Sequence, residues 1–262
     1  MRTVPGYHPV MDRLRERAIL VTGSTGMAAA AAERFASENA SVFVVSRSAE
    51  HARGLAERLG ADGARVGWAN AALADAAAAD AAVAAAVARF GRIDGLFAVA
   101  GGSGRRFGDG PIHELTPEGW DRTLEINLRS QAMTCRAVVR QMLAQPPNDS
   151  GTRGSILLMG SVTATDPSPE MFATHAYAAA KGATIALMTA MAATYVADRI
   201  RVNVVAPSLT DQEVVPRRLT RASVASVTLC PANAVIRLAA TVCSTPVVSP
   251  GATTLTRIPS FA

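Results

Sequence analysis

The stretch Ala18-Ile19-Leu20-Val21-Thr22-Gly23-Ser24-Thr25-Gly26-Met27-Ala28 decides the fold. Its first five residues are a short, continuous apolar run, the mark of a strand buried on both faces. Two glycines follow, and then an alanine-rich segment over Ala28–Ser37 that reads as a helix. A strand that turns through glycines into a helix brings backbone N–H groups to the positive end of that helix, where a pyrophosphate is bound well. Such turns also occur without a phosphate, so this one needs support from elsewhere in the chain. No Gly-Lys-Ser/Thr follows, which excludes the mononucleotide P-loop.

Outward from this unit the alternation repeats. Ser41–Ser46 predicts a second strand and Glu50–Leu59 a helix, Arg65–Ala69 a weaker strand, and Asp75–Phe90 a helix almost wholly of Ala and Val. Gly95–Ala100 predicts a fourth strand. Thr116-Pro117 caps and opens a long helix to about Leu143, and Ser155–Gly160 predicts a fifth strand. A Pro-punctuated loop leads to a helix from Thr174 to about Asp198, then to a sixth strand at Arg201–Ala206. The fold expected is α/β: a single Rossmann-type, doubly wound parallel sheet of six to seven strands with helices on both faces.

Composition narrows the class. The chain has 262 residues, 49% of them hydrophobic and 18% charged, enough apolar material for one core and no case for global disorder. No uncharged run is long and unbroken enough for a membrane span, and the first twenty residues carry Arg2, Asp12, Arg13, Arg15, Glu16 and Arg17 with no apolar signal region. A cytoplasmic protein is expected. Cys135, Cys230 and Cys243 fit neither a disulfide framework nor a zinc spacing, and His8, His51, His113 and His175 share no ligand spacing, so no metal is expected. The net charge of +5 comes from the tail: residues 214–262 hold Arg217, Arg218, Arg221, Arg237 and Arg257 and no acid. The body is neutral, which argues against a nucleic-acid partner.

Of the 26 cationic side chains, only Lys181 is a lysine. It stands four residues after Tyr177, and that spacing places both side chains on one helical face. With three Tyr and one Lys the spacing arises by chance in about 1% of such chains. Where any positive charge would do, this sequence uses Arg, so a retained ammonium points to chemistry that needs it. A nearby ammonium favours the phenolate and is expected to lower the Tyr177 pKa. Ser161 closes the fifth strand at the sheet's carboxyl edge, and Asn127 sits inside the long helix at a propensity cost. Ser46-Arg47 ends the second strand, where an acid would bind a ribose diol; Arg47 suits the 2′-phosphate of NADP instead.

Taken together, TGSTGMA (22–28), WDRTLEINL (120–128), SILLMGSV (155–162), YAAAK (177–181) and RVNVVAPS (201–208) resemble the short-chain dehydrogenase/reductase family over about residues 17–210. The resemblance implies an NAD(P)-dependent oxidoreductase, with NADP(H) favoured over NAD(H), acting on a ketone or secondary alcohol. It implies a tetrad of Asn127, Ser161, Tyr177 and Lys181. Tyr177 would exchange the proton, Ser161 bind the carbonyl oxygen, Lys181 hold the nicotinamide ribose and Asn127 anchor a water. Cofactor contacts are then expected at Gly23, Ser24, Thr25, Gly26, Met27, Ser46, Arg47, Ala100, Gly101, Tyr177, Lys181, Pro207 and Ser208. The partners implied are a small carbonyl or alcohol substrate and further copies of the chain, as a homo-dimer or tetramer through the two long helices.

The departures matter too. The family's glycine turn is one residue shorter here and ends in Ala28, its usual adenine-contacting Asp corresponds to Ala72, and Pro-Gly after the sixth strand is Pro207-Ser208. Residues 1–16 read as an N-terminal extension, 17–213 as the dinucleotide-binding catalytic domain, and 214–262 as an atypical segment of the same domain for which poor order is expected. Within that segment Ala232–Ala240 predicts a short helix and Pro246–Val248 a strand. An acid-free tail of abrupt onset is also what out-of-frame translation of a GC-rich coding region gives; the other frames beyond about codon 210 would then hold a family-like continuation. The rival reading is a non-catalytic dinucleotide-binding homologue.

Overall fold

The computed structural model describes residues 12–60, 65–167, 169–207 and 226–228. In chain order the strands are β1 (Ala18–Thr22), β2 (Ser41–Ser46), β3 (Val66–Asn70), β4 (Gly95–Ala98), β5 (Gly154–Met159), β6 (Ile200–Ala206) and β7 (Ser226–Thr228). The helices are α1 (Gly26–Ser37), α2 (Ala49–Arg58), α3 (Ala76–Phe90), α4 (Pro117–Leu124), α5 (Ser130–Ala144), α6 (Pro169–Phe172) and α7 (His175–Tyr195). They build one sheet of order β3-β2-β1-β4-β5-β6-β7, in which the first six strands run parallel. The strand order reverses between β1 and β4, and their carboxyl ends open the crevice where such sheets bind ligands.

Strand alternation feeds two cores. Leu20, Phe43, Leu96, Ile156 and Val202 face one way, against α3, α5 and α7. Ile19, Val21, Val42, Val44 and Phe97 face the other, with Ala28 and Ala32 of α1 and Leu55 of α2. Both sides of β1 are buried, which is why AILVT carries no polar alternation. Alanine suits the helices because a small side chain lets a helix lie close on the sheet.

Local chemistry sets the helix ends. Asp75 caps α3 by accepting from Ala78 N–H at 2.7 Å, and Gly91 ends it in the left-handed region at φ +79°. Thr116 caps α4 by accepting from Gly119 N–H at 2.9 Å, with Pro117 at the first position.

One expectation is corrected, and one strand is added. The single helix expected from Thr116 to Leu143 is broken by a π-helical turn at Glu125–Arg129, where Ser130 N–H reaches back to Glu125 C=O. Residue periodicity is blind to one widened turn, and only the mid-helix Asn127 hinted at it. The strand expected at Pro246–Val248 and the helix expected at Ala232–Ala240 lie outside the described residues, and the last strand of the sheet among the described residues is a further segment. It is β7, antiparallel to β6 with Val227 opposite Val205. Three residues are too short for a strand signal in the sequence, although the central Val and Thr228 suit one.

Candidate active site

The cofactor end of the crevice is built by the β1–α1 turn. Gly23 adopts φ +97°, and a Cβ there would stand 3.1 Å from the Ala28 side chain and 3.9 Å from Ala100 N. Only glycine fits this close approach, and Ala28 completes it without the third glycine of the longer motif. Thr25 precedes α1 with no side-chain capping bond, and the first turn of α1 holds no acid. The helix's positive end is therefore open to an anion. A cavity of about 270 Å³ runs from this turn, lined by Gly23, Ser24, Thr25, Ser46, Arg47, His51, Ala72, Ala100 and Gly101 among others. Ser24 Oγ donates to Ser46 Oγ at 2.9 Å, tying the turn to the end of β2. These residues could hold the pyrophosphate and adenosine half of a dinucleotide, with the exposed Arg47 among them. Gly26 and Met27 open α1 beside the cavity, Pro207 C=O accepts from Val162 N–H at 3.1 Å, and Ser208 lies outside the described residues.

Ser161, Tyr177 and Lys181 come together at the other end. Ser161 follows β5 and is buried; its hydroxyl oxygen accepts from Thr163 N–H at 3.2 Å and Thr163 Oγ at 2.9 Å. With its lone pairs so engaged, the Ser161 proton is left to point at a carbonyl or phenol oxygen. Lys181 is only 2% exposed, donates to Met159 C=O at 2.8 Å, and places its Nζ 5.5 Å from the centre of the Tyr177 ring. Burial lowers the Lys181 pKa from 10.5 to about 8, so the ammonium persists at neutral pH with a narrow margin.

The expected lowering of the Tyr177 pKa is not found. Burial raises it above the ordinary value of 10, and the hydrogen bond with Ser161 pulls it partly back. Lys181 directs its proton to Met159, and desolvation of the phenolate is the larger influence. Near neutral pH Tyr177 is a neutral phenol, the state of a proton donor.

The Asn127 side chain bonds the glycine loop and its own helix. It is fully buried in the π-helical turn, donating to Gly102 C=O and Thr123 C=O at 2.9 Å each and accepting from Gly102 N–H at 3.0 Å. Its carboxamide thus fixes the glycine loop after β4. A Cβ on Gly101 would come within 2.5 Å of Asn127 Oδ1, so position 101 has no room for a side chain unless that carboxamide moves.

Three further residues serve the site that sequence reasoning passed over. Thr22 Oγ accepts from both Val99 and Ala100 N–H at 3.0 Å, locking the end of β1 to the end of β4. Asp109, buried in the β4–α4 loop, accepts from Ala176 N–H and Tyr177 N–H at 3.0 Å each. It caps α7 from a distance, while the adjacent Thr174 makes no side-chain capping bond. Gln131 bonds both Asn127 and Met159. A missing acid in the first turn of α7 was a faint signal for Asp109; single-residue patterns carry none for a tertiary cap.

A glycine turn opening on a helix's positive end, together with buried Ser161 and Lys181 and half-buried Tyr177, is an arrangement suited to a dinucleotide-dependent oxidoreductase. The family model for short chain dehydrogenase matches residues 17–221, and the chain belongs to that family of nicotinamide-dependent oxidoreductases acting on alcohols and ketones. It is 35% identical over 205 residues to an A-factor type gamma-butyrolactone 1'-reductase (1S-forming) of Streptomyces virginiae, covering 77% of this chain and 75% of that one. It is 36% identical over 199 residues to a D-threitol dehydrogenase of Mycolicibacterium smegmatis, covering 75% and 71%. Among solved structures, an NAD+-bound xylitol dehydrogenase superposes with a TM-score of 0.67 at 26% identity, covering 75% of this chain and 71% of that one. Among the described residues no helix is long and apolar enough to cross a membrane, and no group of three acidic, His or Cys side chains is placed to hold a metal.

Proposed function

We propose that this protein is an NADP(H)-dependent reductase of a small ketone, or dehydrogenase of the corresponding secondary alcohol. Tyr177 is the proton donor, Ser161 the hydrogen-bond donor to the substrate oxygen, and Lys181 the group that holds the nicotinamide ribose. The observation that carries the reading is the buried ammonium of the only lysine in the chain, gathered with Tyr177 and Ser161 beside the carboxyl edge of the sheet.

Gly23, Ser24, Thr25, Gly26 and Met27 would cradle the pyrophosphate, and Ala100 and Gly101 would border the nicotinamide ribose. Bound there, the nicotinamide supplies or accepts the hydride. Tyr177, protonated at neutral pH, gives its hydroxyl proton to the carbonyl oxygen as charge builds on it. Ser161 donates to the same oxygen, and Lys181 counters the phenolate left behind. Asn127 acts through position, by holding Gly101 and Gly102 in place. NADP is favoured because the end of β2 offers Ser46, Arg47 and Ser48 with no acid to compete for the 2′-phosphate. The relatives' names, a reductase and a polyol dehydrogenase, favour a small oxygenated substrate. A homo-oligomer through α5 and α7 is supported by the groove between them, lined by Ala132, Arg136, Leu187, Met191 and Tyr195.

Fluorescence titration with NADPH and NADH, followed by NADPH oxidation against a panel of ketones, tests the reading. Tighter binding of NADPH and turnover that falls by at least about 100-fold in Tyr177→Phe is the expected result. Retained binding with no turnover by the wild type would return the protein to the non-catalytic reading, which no comparison supports.

A further inference from the structure

We propose that Gln131 is a positioning residue of the active site, holding in place the carbonyl oxygen on which the Lys181 ammonium docks. This deepens the oxidoreductase reading and takes its catalytic meaning from it.

Gln131 is the second residue of α5 and is 2% exposed. Its Nε2 donates to Asn127 C=O at 3.0 Å and to Met159 C=O at 3.1 Å, and its Oε1 accepts from Met159 N–H at 3.2 Å. One side chain therefore grips the last residue of β5 by both backbone groups and ties it to the π-helical turn. Lys181 Nζ donates to the same Met159 oxygen at 2.8 Å. A carbonyl oxygen has two lone pairs, and here the carboxamide takes one and the ammonium the other.

The arrangement has a mechanical consequence. Met159 lies two residues before Ser161, so the peptide that Gln131 clamps also leads into the hydroxyl that faces the phenol. A buried ammonium is costly unless its acceptor is present and well aimed. Gln131 fixes that acceptor, and through it the height of Nζ beneath the ribose and the phenol. Position 131 is one helical turn beyond Asn127, which lets the side chain reach back to the Asn127 carbonyl while pointing at the sheet. Without it, the buried N–H of Met159 loses its acceptor and the Met159 carbonyl is free to tilt.

The single lysine allows a test that needs no substrate. Protein labelled with [13Cε]lysine gives one lysine resonance, whose pH titration reports Lys181 alone; the wild-type midpoint is expected near 8. Gln131→Glu puts a carboxylate beside the shared oxygen and is expected to raise that midpoint by at least about one unit. A folded Gln131→Glu protein with an unchanged midpoint overturns the proposal. Gln131→Met keeps the length and loses every hydrogen bond. It is expected to displace the lysine resonance and to speed amide exchange at Met159 by at least about tenfold. Should the Glu variant not fold, a Met variant whose lysine signal coincides with wild type at every pH overturns the proposal instead. In the NADPH assay the Met variant is expected to lose about tenfold or more in kcat with the cofactor KM little changed. Absence of wild-type turnover would count against the oxidoreductase reading alone, since the lysine titration decides on Gln131 independently.

Discussion

Two helices begin beside the catalytic crevice, and they begin differently. The amino end of α1 has no side-chain cap and no acid in its first turn, and the chain enters it through Gly23 at φ +97°. The amino end of α7 also lacks a local cap, but the Asp109 carboxylate from a separate loop fills it, bonding the N–H groups of Ala176 and Tyr177. Both ends present the same partial positive charge. One is left open to an anion from outside, which the proposed function takes to be the cofactor's; the other is closed by an anion of the protein's own. On the proposed function the difference separates binding from catalysis: the open end would determine cofactor affinity, and the closed end determines where Tyr177 stands.

Opening the closed end should have the largest effect. Asp109→Ala removes the acceptor for two amides, one of them fully buried, and a charged acceptor cannot be replaced by water there. We expect a loss of about 3 kcal/mol in stability by chemical denaturation. Tyr177 then loses its backbone anchor, and kcat should fall by about 100-fold, the cost of a misplacement near 1 Å. NADPH affinity should stay within a few-fold of wild type. Equal losses in kcat and in cofactor affinity would show that the loop serves the whole crevice and that the division between the two helix ends is false.

Closing the open end is the converse. Thr25 is exposed and already extended, at φ −134° and ψ 167°, as a capping residue requires. Thr25→Asp should cap α1 and raise stability by about 1 kcal/mol, which is a rise of about 2–4 °C in Tm. The same carboxylate occupies the place of the pyrophosphate, so NADPH affinity should fall by about 100-fold in a fluorescence titration. Unchanged affinity would place the cofactor's phosphates elsewhere.

How much of this was legible follows the same division. The open end could be read from sequence, because a glycine turn between a strand and a helix is a local pattern and every residue of the cradle between Thr22 and Ala28 is contiguous. Tyr177 and Lys181 could be read because one helical spacing joins them. Asp109, Gln131 and Thr163 could not. Asp109 and Gln131 act on backbone groups that folding alone brings near, 67 or 68 residues away for Asp109 and 28 for Gln131, and Thr163 acts on the Ser161 hydroxyl through a local turn that no residue pattern announces. The pKa direction of Tyr177 escaped for a related reason. Spacing shows that an ammonium is near a phenol, but not that the Met159 carbonyl accepts the ammonium's hydrogen bond or that burial outweighs the charge.

Lys181 lies within two turns of the closed end and could be mistaken for the partner of the carboxylate there. The burial that lowers it to about 8 has no counterpart from Asp109, so the Asp109 charge works on the helix end and leaves the ammonium uncompensated. Lys181→Met should therefore abolish turnover yet stabilise the fold at pH 7, by about 3 kcal/mol. The sign follows from proton counting. Between about 8 and 10.5 the unfolded chain still holds the lysine proton that the folded chain has released, so wild-type stability gains on the variant as pH rises through that window. The gap between the two proteins should be full at pH 7 and reduced to about a quarter by about pH 10. Burial of the Cys135 thiol, raised to about 12, weakens both proteins alike at alkaline pH and cancels in the difference. Urea denaturation of both proteins at pH 7, 8.5 and 10 measures the gap. A variant less stable than wild type at pH 7 would mean that the ammonium is paired, and that α7 begins on a charge pair rather than on a cap.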